Sequence, residues 1–261
     1  MGDMNVIVCV KQIPDPAAPG ALDPATKTLK RDGKPILDES DSYGVEMALQ
    51  LVDAAGGGEV SIVSMSSADE VTGLRTALAM GAAKGIVVSD PALKGSDALT
   101  TAKVLAAAIQ RMGGADLILA ATESSDGYTG TVPEQMAEVL GLPSVTFAKK
   151  VVVDGGSLKV DRQTESGYDE VTCPLPALIS VTAGVVEPRY PSFKGIMAAK
   201  SKPIDIVSAS DLGISPVGWA GAGQEITSID QAEARAAGTI IEDDGEGFAK
   251  IVAYLENLKV I

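Results

Sequence analysis

The chain has 261 residues, 46% of them hydrophobic, which suits one large α/β domain with a sizeable core and excludes a disordered tail. Its formal net charge of -14 disfavours a nucleic-acid backbone or an anionic membrane as partner, since the nearest approach to a basic cluster is Lys194, Lys200 and Lys202. There is no histidine, which excludes a Ser-His-Asp triad, a Cys-His pair, a histidine metal site and a histidine general base.

Aromatic residues are only 3%, so Val, Ile, Leu, Ala and Met must fill the core. The two cysteines, Cys9 and Cys173, each lie in an apolar strand-like run and read as small buried hydrophobes. No apolar run approaches the ~20 residues a membrane helix needs. The first residues lack the basic start and long apolar stretch of a signal peptide, so a cytoplasmic protein is expected.

Residues 6–10 are a run of β-branched residues interrupted only by Cys9 and predict a buried first strand. An irregular stretch follows, punctuated by Pro14, Pro16, Pro19, Gly20, Pro24, Gly33 and Pro35. Asp41 or Ser42 can cap a helix whose apolar face is Val45, Ala48, Leu49 and Val52, ended by the glycines at 56–58. Residues 60–65 are a second strand, and Asp69 opens a helix carrying Val71, Leu74, Leu78 and Ala82. Residues 86–88 form a third strand, Ser96 or Asp97 caps a helix to about Met112, and residues 116–121 form a fourth strand. Strands alternating with helices imply parallel βαβ units. Strands apolar on both faces imply helices on both sides of the sheet. The expected fold is a doubly wound, mostly parallel α/β sheet with its binding crevice beyond the strand C-termini.

After Pro143 the pattern changes to strands at 145–153, 158–160, 168–173 and 178–182 with short turns between them, read as an antiparallel extension of the sheet. A short helix is expected over 194–200 and a last strand over 204–207. Residues 1–212 are therefore assigned to the nucleotide-binding domain and 213–261 to a C-terminal arm. That arm ends in an amphipathic helix carrying Phe248, Ile251, Val252, Leu255 and Leu258, which either docks on its own domain or wraps a partner.

The loop after the fourth strand runs Ala121-Thr122-Glu123-Ser124-Ser125-Asp126-Gly127-Tyr128-Thr129-Gly130-Thr131-Val132 and leads into a helix near Pro133. Free N–H groups at such a helix start can hold a phosphate, although an ordinary βα loop also contains Gly and Ser. It is not a Walker A loop, and the first strand does not lead into G-x-G-x-x-G. With Cys9-Val10-Lys11 and Met65-Ser66-Ser67 it would frame one pocket from three strand ends. Arg162, Glu165, Asp169 and Glu170 form a charged patch between two strand runs and read as a solvated hairpin, the alternative being carboxylates paired for acid–base work at a fixed short separation. The stretch from Glu187 through Arg189, Tyr190, Phe193, Ile196 and Met197 mixes rigid turn residues with interface-type anchors.

Several motifs in order resemble the β subunit of electron transfer flavoproteins. They are Val8-Cys9-Val10-Lys11-Gln12-Ile13-Pro14-Asp15, Arg75-Thr76-Ala77-Leu78-Ala79-Met80-Gly81-Ala82, Asp126-Gly127-x-Thr129-Gly130-x-Val132-Pro133, and Val186-Glu187-Pro188-Arg189-Tyr190 with Ile196-Met197. The resemblance implies an adenine nucleotide alpha-hydrolase-like fold and an αβ heterodimer, with FAD held mainly by the α subunit at the interface and a structural AMP in β. AMP would contact Cys9, Asp38, Glu39, Ser40, Asp41, Met65 and residues 121–132. The loop that grips acyl-CoA dehydrogenases would correspond to 189–200, with Phe193 where the family's anchoring leucine falls. Arg162, Gln163 and Glu165 would steady the mobile FAD domain, Gln163 standing where some members have Glu. Pro16 and Asp38-Glu39-Ser40 also depart from the family's pattern near the flavin. The implied role is electron carriage from fatty acid β-oxidation to a membrane-bound quinone oxidoreductase, with no catalytic residue of its own. A universal-stress-type nucleotide-binding module acting without a flavoprotein partner is the alternative.

Overall fold

The computed structural model describes residues 3–18, 20–230 and 238–261. The N-terminal pair, Pro19 and the part of the expected arm at 231–237 lie outside the described residues. The chain divides into two units, Met1–Ile226 and Thr227–Ile261.

In chain order the first unit begins with β1 (Met4–Cys9), followed by four two-residue strands, β2 (Gln12–Ile13), β3 (Leu22–Asp23), β4 (Thr28–Leu29) and β5 (Ile36–Leu37). Then come α1 (Glu39–Ala55), β6 (Gly58–Met65), α2 (Thr72–Met80), β7 (Lys84–Val88), α3 (Ala98–Arg111), β8 (Leu117–Ala121) and α4 (Val132–Leu140). β9 (Ser144–Asp154), β10 (Ser157–Gln163), β11 (Tyr168–Pro174), β12 (Ala177–Val181), α5 (Phe193–Ala199) and β13 (Ile204–Val207) complete it. The second unit carries α6 (Gly247–Asn257). No helix among the described residues is long and apolar enough to cross a membrane.

One sheet of nine strands organises the first unit, in the order β11-β10-β9-β12-β8-β1-β6-β7-β13. Pairing from β9 through β13 is parallel throughout, and β10 and β11 add an antiparallel edge. The expected doubly wound sheet is therefore present, but of the four strands expected as its antiparallel extension only β10 and β11 run antiparallel; β9 and β12 pair parallel with each other, and β12 with β8. The last strand of that late group, β12, turns back and inserts between β8 and β9, parallel to both.

Alternation along β1 explains why both faces are covered. Val6 and Val8 join the core with Val45, Ala48 and Leu51 of α1 and Leu74 and Leu78 of α2. Ile7 and Cys9 join the other core with Val104 and Ile109 of α3 and Met136 of α4. Successive side chains of a strand point to opposite faces, so the central strands, covered on both sides, must be apolar twice over, whereas the edge strands β10, β11 and β13 keep exposed residues.

The helix starts differ from the sequence expectation in two places. α1 is capped by Asp38, whose carboxylate accepts the Ser40 N–H at 3.1 Å, and not by Asp41 or Ser42. The reason is that Asp41 Oδ2 accepts the Lys11 N–H at 2.6 Å, which ties helix to strand end. α2 starts at Thr72 and not at Asp69; Glu70 Oε1 accepts the Thr72 N–H at 3.1 Å, and Gln12 Oε1 accepts the Gly73 N–H at 3.0 Å from across the fold. The Pro/Gly-rich stretch after β1 is also more ordered than its breakers suggest: β2 pairs with β5, and β3 with β4.

Residues 213–226, expected in the arm, belong to the first unit. Thr100 Oγ1 donates to Gly221 O at 3.1 Å, the Gly223 N–H donates to Asp97 Oδ2 at 2.8 Å, and Gly95 leaves room for the Trp219 ring. These contacts are long-range and leave no periodic signal in the sequence.

Candidate functional site

The chain passes from β1 to β6 and β7 on one side and then to β8 on the other, so strand order reverses between β1 and β8. A crevice must open there, because the connections leave the two strand ends in opposite directions. Lys11 and the loop from Thr122 to Thr131 meet at this point.

The loop is held by a compact polar network. Lys11 Nζ donates to Ser124 Oγ at 3.1 Å and to Asp126 Oδ1 at 2.6 Å. Arg31, carried in by the β3–β4 excursion, donates through Nη2 to Asp126 Oδ2 at 2.5 Å. Asp38 accepts the Ser125 N–H at 2.7 Å and its hydroxyl at 3.0 Å. Burial opposes the charge on Asp126, but Lys11 and Arg31 outweigh it and hold the carboxyl below its usual range. Asp41 goes the other way: burial first, then the neighbouring Asp38 charge, push its carboxyl well above the usual range despite the Lys11 N–H. Burial also pushes the Cys9 thiol up, with the Asp41 charge adding, so Cys9 is a protonated core residue against Met136 at 3.9 Å.

The rest of the loop stays open. Gly127, Tyr128, Thr129 and Thr131 are exposed, and Tyr128 adopts a left-handed φ of 49°. A Cβ on Gly127 would stand 3.0 Å from Ser124 Oγ and 3.7 Å from Lys11 Nζ, so glycine keeps this inner wall bare. Thr131 gives α4 no side-chain cap, which leaves first-turn N–H groups without intrahelical partners facing the loop. On the first turn of α4, Glu134 Oε2 and Gln135 Oε1 are buried without a partner among the described residues. Lys11 and Arg31, which share the Asp126 carboxylate, and the free donors at the α4 start suit an anionic group such as a phosphate.

A second hollow, about 360 Å³, lies on the β12 side and is lined by Ser40, Thr122, Glu123, Phe147, Gln163, Val181, Thr182 and Ala183. Phe147 sits at a bulge of β9 with a left-handed φ of 56°, its N–H donating to Ser180 Oγ at 3.1 Å. A larger depression of about 690 Å³ beside Lys27 and Trp219 includes none of the expected site residues.

The family described as "Electron transfer flavoprotein domain" matches residues 26–212. "Electron transfer flavoprotein subunit beta" of Mycobacterium tuberculosis is 39% identical over 98% of this chain and 99% of its own length. The chain belongs to the electron transfer flavoprotein family. A second β subunit of this family, from Thermoanaerobacterium thermosaccharolyticum, is 34% identical over 99% of the chain and 100% of its own length. "Caffeyl-CoA reductase-Etf complex subunit CarD" of Acetobacterium woodii is 37% identical over 82% of the chain and 81% of its own length. The chain is thus an electron transfer flavoprotein of the β-subunit type, an electron-transfer subunit whose family implies a flavin and an α-subunit partner. Similarity over nearly the full length displaces the universal-stress-type alternative, which accounts only for the early βαβ pattern.

Within this electron transfer flavoprotein chain, the residues expected at the nucleotide fall into three groups. Asp38, Asp41, Ser124, Ser125 and Asp126 are joined through Lys11. Ser40, Thr122 and Glu123 line the β12-side hollow together with Gln163, which was expected at the FAD-domain contact, while Glu39 is exposed on the first turn of α1. Cys9, Met65 and Ala121 are strand-end residues at the base, Cys9 and Ala121 buried and Met65 half-buried. Arg162 and Asp169 face each other across the β10–β11 hairpin with Nη1 and Oδ2 3.9 Å apart, and Glu165 is exposed in its turn. Tyr190, Phe193, Ile196 and Met197 are exposed, but Arg189 is turned inward onto Glu46 of α1, Nε to Oε2 at 2.6 Å.

Sequence reasoning missed Arg31, Glu46 and Phe147. Arg31 stands in a breaker-rich excursion with no pattern to place it. Glu46 left a signal, a carboxylate between Val45 and Met47 on the buried face of a helix. A charge in that position needs a partner.

Proposed function

We propose that this chain is the β half of an electron-carrying heterodimer, binding AMP at the β1/β8 crevice and presenting one face to an FAD held mainly by the α subunit. The observation that carries this reading is the near full-length identity to β subunits combined with an open, cation-lined loop at the strand-order reversal. Phosphate would take the α4 start with Lys11 and Arg31 as counter-charges, and Glu134 and Gln135 would accept from ribose or base. Ser40, Phe147 and Gln163 line the hollow that would face the flavin domain. The FAD supplies one-electron and two-electron redox capacity when bound; this chain orients it and sets its surroundings.

Phe193 and its neighbours would dock acyl-CoA dehydrogenases, from which electrons pass on toward a membrane-bound quinone oxidoreductase. A relative whose name places it in a caffeyl-CoA reductase complex makes a CoA-ester reductase a second candidate partner. The C-terminal unit, with Phe248, Ile251 and Val252 exposed on α6, would pack on the α subunit, and the assembly would work in the cytoplasm. Changing Asp126 and Thr129 together to Ala should lower bound AMP in the purified heterodimer and its melting temperature, because a ligand bound only to the folded state stabilises it. An unchanged AMP content would place the nucleotide elsewhere.

A further inference from the structure

The exposed side chains around α5 are carried on a backbone fastened at both ends by charged groups. At the front, Arg189 turns its donors onto one carboxylate. Its Nε lies 2.6 Å from Glu46 Oε2, its Nη2 3.1 Å from Oε1, and its N–H 3.3 Å from Oε2. Glu46 is buried on α1, and Gln50 Nε2 donates to its Oε1 at 2.8 Å, so the carboxylate is itself fixed. At the back, Arg75 of α2 donates to Ala199 O at 2.8 Å and Lys202 O at 2.6 Å. Lys202 Nζ returns to α2, reaching Leu78 O at 2.8 Å and Ala82 O at 2.7 Å. Between them Ser192 Oγ caps the Gly195 N–H at 3.0 Å, and a Cβ on Gly195 would stand 2.4 Å from Ala79 O, so α5 lies directly on α2.

The side chains this backbone carries point the other way. Tyr190 is 94% exposed and Phe193 79%, with Ile196 and Met197 about half exposed. Apolar groups so exposed contribute little to this chain's own core, yet four charged side chains hold the segment that displays them. We infer that Glu46, Arg189, Arg75 and Lys202 are positioning residues that keep Tyr190, Phe193, Ile196 and Met197 in their docking conformation before an acyl-CoA flavoprotein arrives. The inference rests on the docking role proposed above and adds that the segment is preorganised. Binding then does not have to order the segment, and the saved entropy appears as affinity.

The test uses the heterodimer with its α subunit and reduced acyl-CoA dehydrogenase as electron donor. Arg189→Lys and Glu46→Gln break the bidentate fork while keeping the side chains' bulk. Each should raise KM for the dehydrogenase about tenfold with kcat retained. Amide hydrogen exchange over residues 190–199 should accelerate in the same variants. Phe193→Ala should raise KM without changing that exchange. Should Arg189→Lys or Glu46→Gln fail to assemble, Ser192→Ala removes only the α5 cap and should give the same pair of changes. Unchanged KM in the clamp variants while Phe193→Ala raises it would overturn preorganisation and leave docking intact. Unchanged KM in Phe193→Ala as well would remove the docking role itself.

Discussion

Asp41 and Asp126 are both carboxylates at the same crevice, and their surroundings push them apart. Asp126 is held charged by Lys11 and Arg31, so its contribution to stability is present above about pH 4 and lost as pH falls through its lowered value. Asp41 has a raised value, so its contribution is complete below about pH 4 and lost as pH rises through that value. Asp41→Asn should therefore raise the unfolding midpoint at neutral pH, with the gain shrinking toward pH 4, and Asp126→Asn should lower it. Urea titrations at several pH values measure both; a loss of stability in Asp41→Asn at neutral pH would contradict the assignment. The Asp126 loop was legible in sequence because hydroxyl, Gly and Asp residues cluster before a helix start. The Asp41 effect was not, because it depends on the Lys11 N–H and on Asp38 lying beside it in space.

At the scale of elements, the joint between β2, β5 and α2 holds the excursion that delivers Arg31. Gln12 is buried, donates to Glu70 O at 2.9 Å and accepts from the Gly73 N–H at 3.0 Å. Gly73 allows α2 to touch β5, since a Cβ there would be 2.7 Å from Ile36 C and Leu37 N. Gln12→Ala leaves the buried Gly73 N–H unmatched and should cost about 1–3 kcal/mol. Gly73→Ala overpacks the same joint at about 1–3 kcal/mol, and the double variant should cost less than the sum. Chemical denaturation of the three proteins decides this; full additivity would mean the two residues hold separate joints. Periodicity revealed the long helices and central strands, because each must bury a repeating face. It could not reveal two-residue strands such as β2 and β5, which have no period, nor a helix cap supplied from 61 residues away.

The whole molecule carries a net charge of -14, has no histidine, and places its open loop and its exposed α5 anchors on a sheet scaffold. That is the build of a subunit that orients a redox group for others. Expressed without its partner, the chain should retain little flavin, which an absorbance spectrum of the purified protein would reveal; a stably yellow isolated chain would oppose the division of labour proposed here. The central claim is the heterodimer with its two nucleotides. The most direct measurement is to co-express the chain with an electron transfer flavoprotein α subunit, purify the complex, denature it and quantify the released ligands by mass spectrometry. The account predicts one FAD and one AMP per heterodimer. A complex that forms without FAD, or one that releases FAD but no AMP, would contradict it.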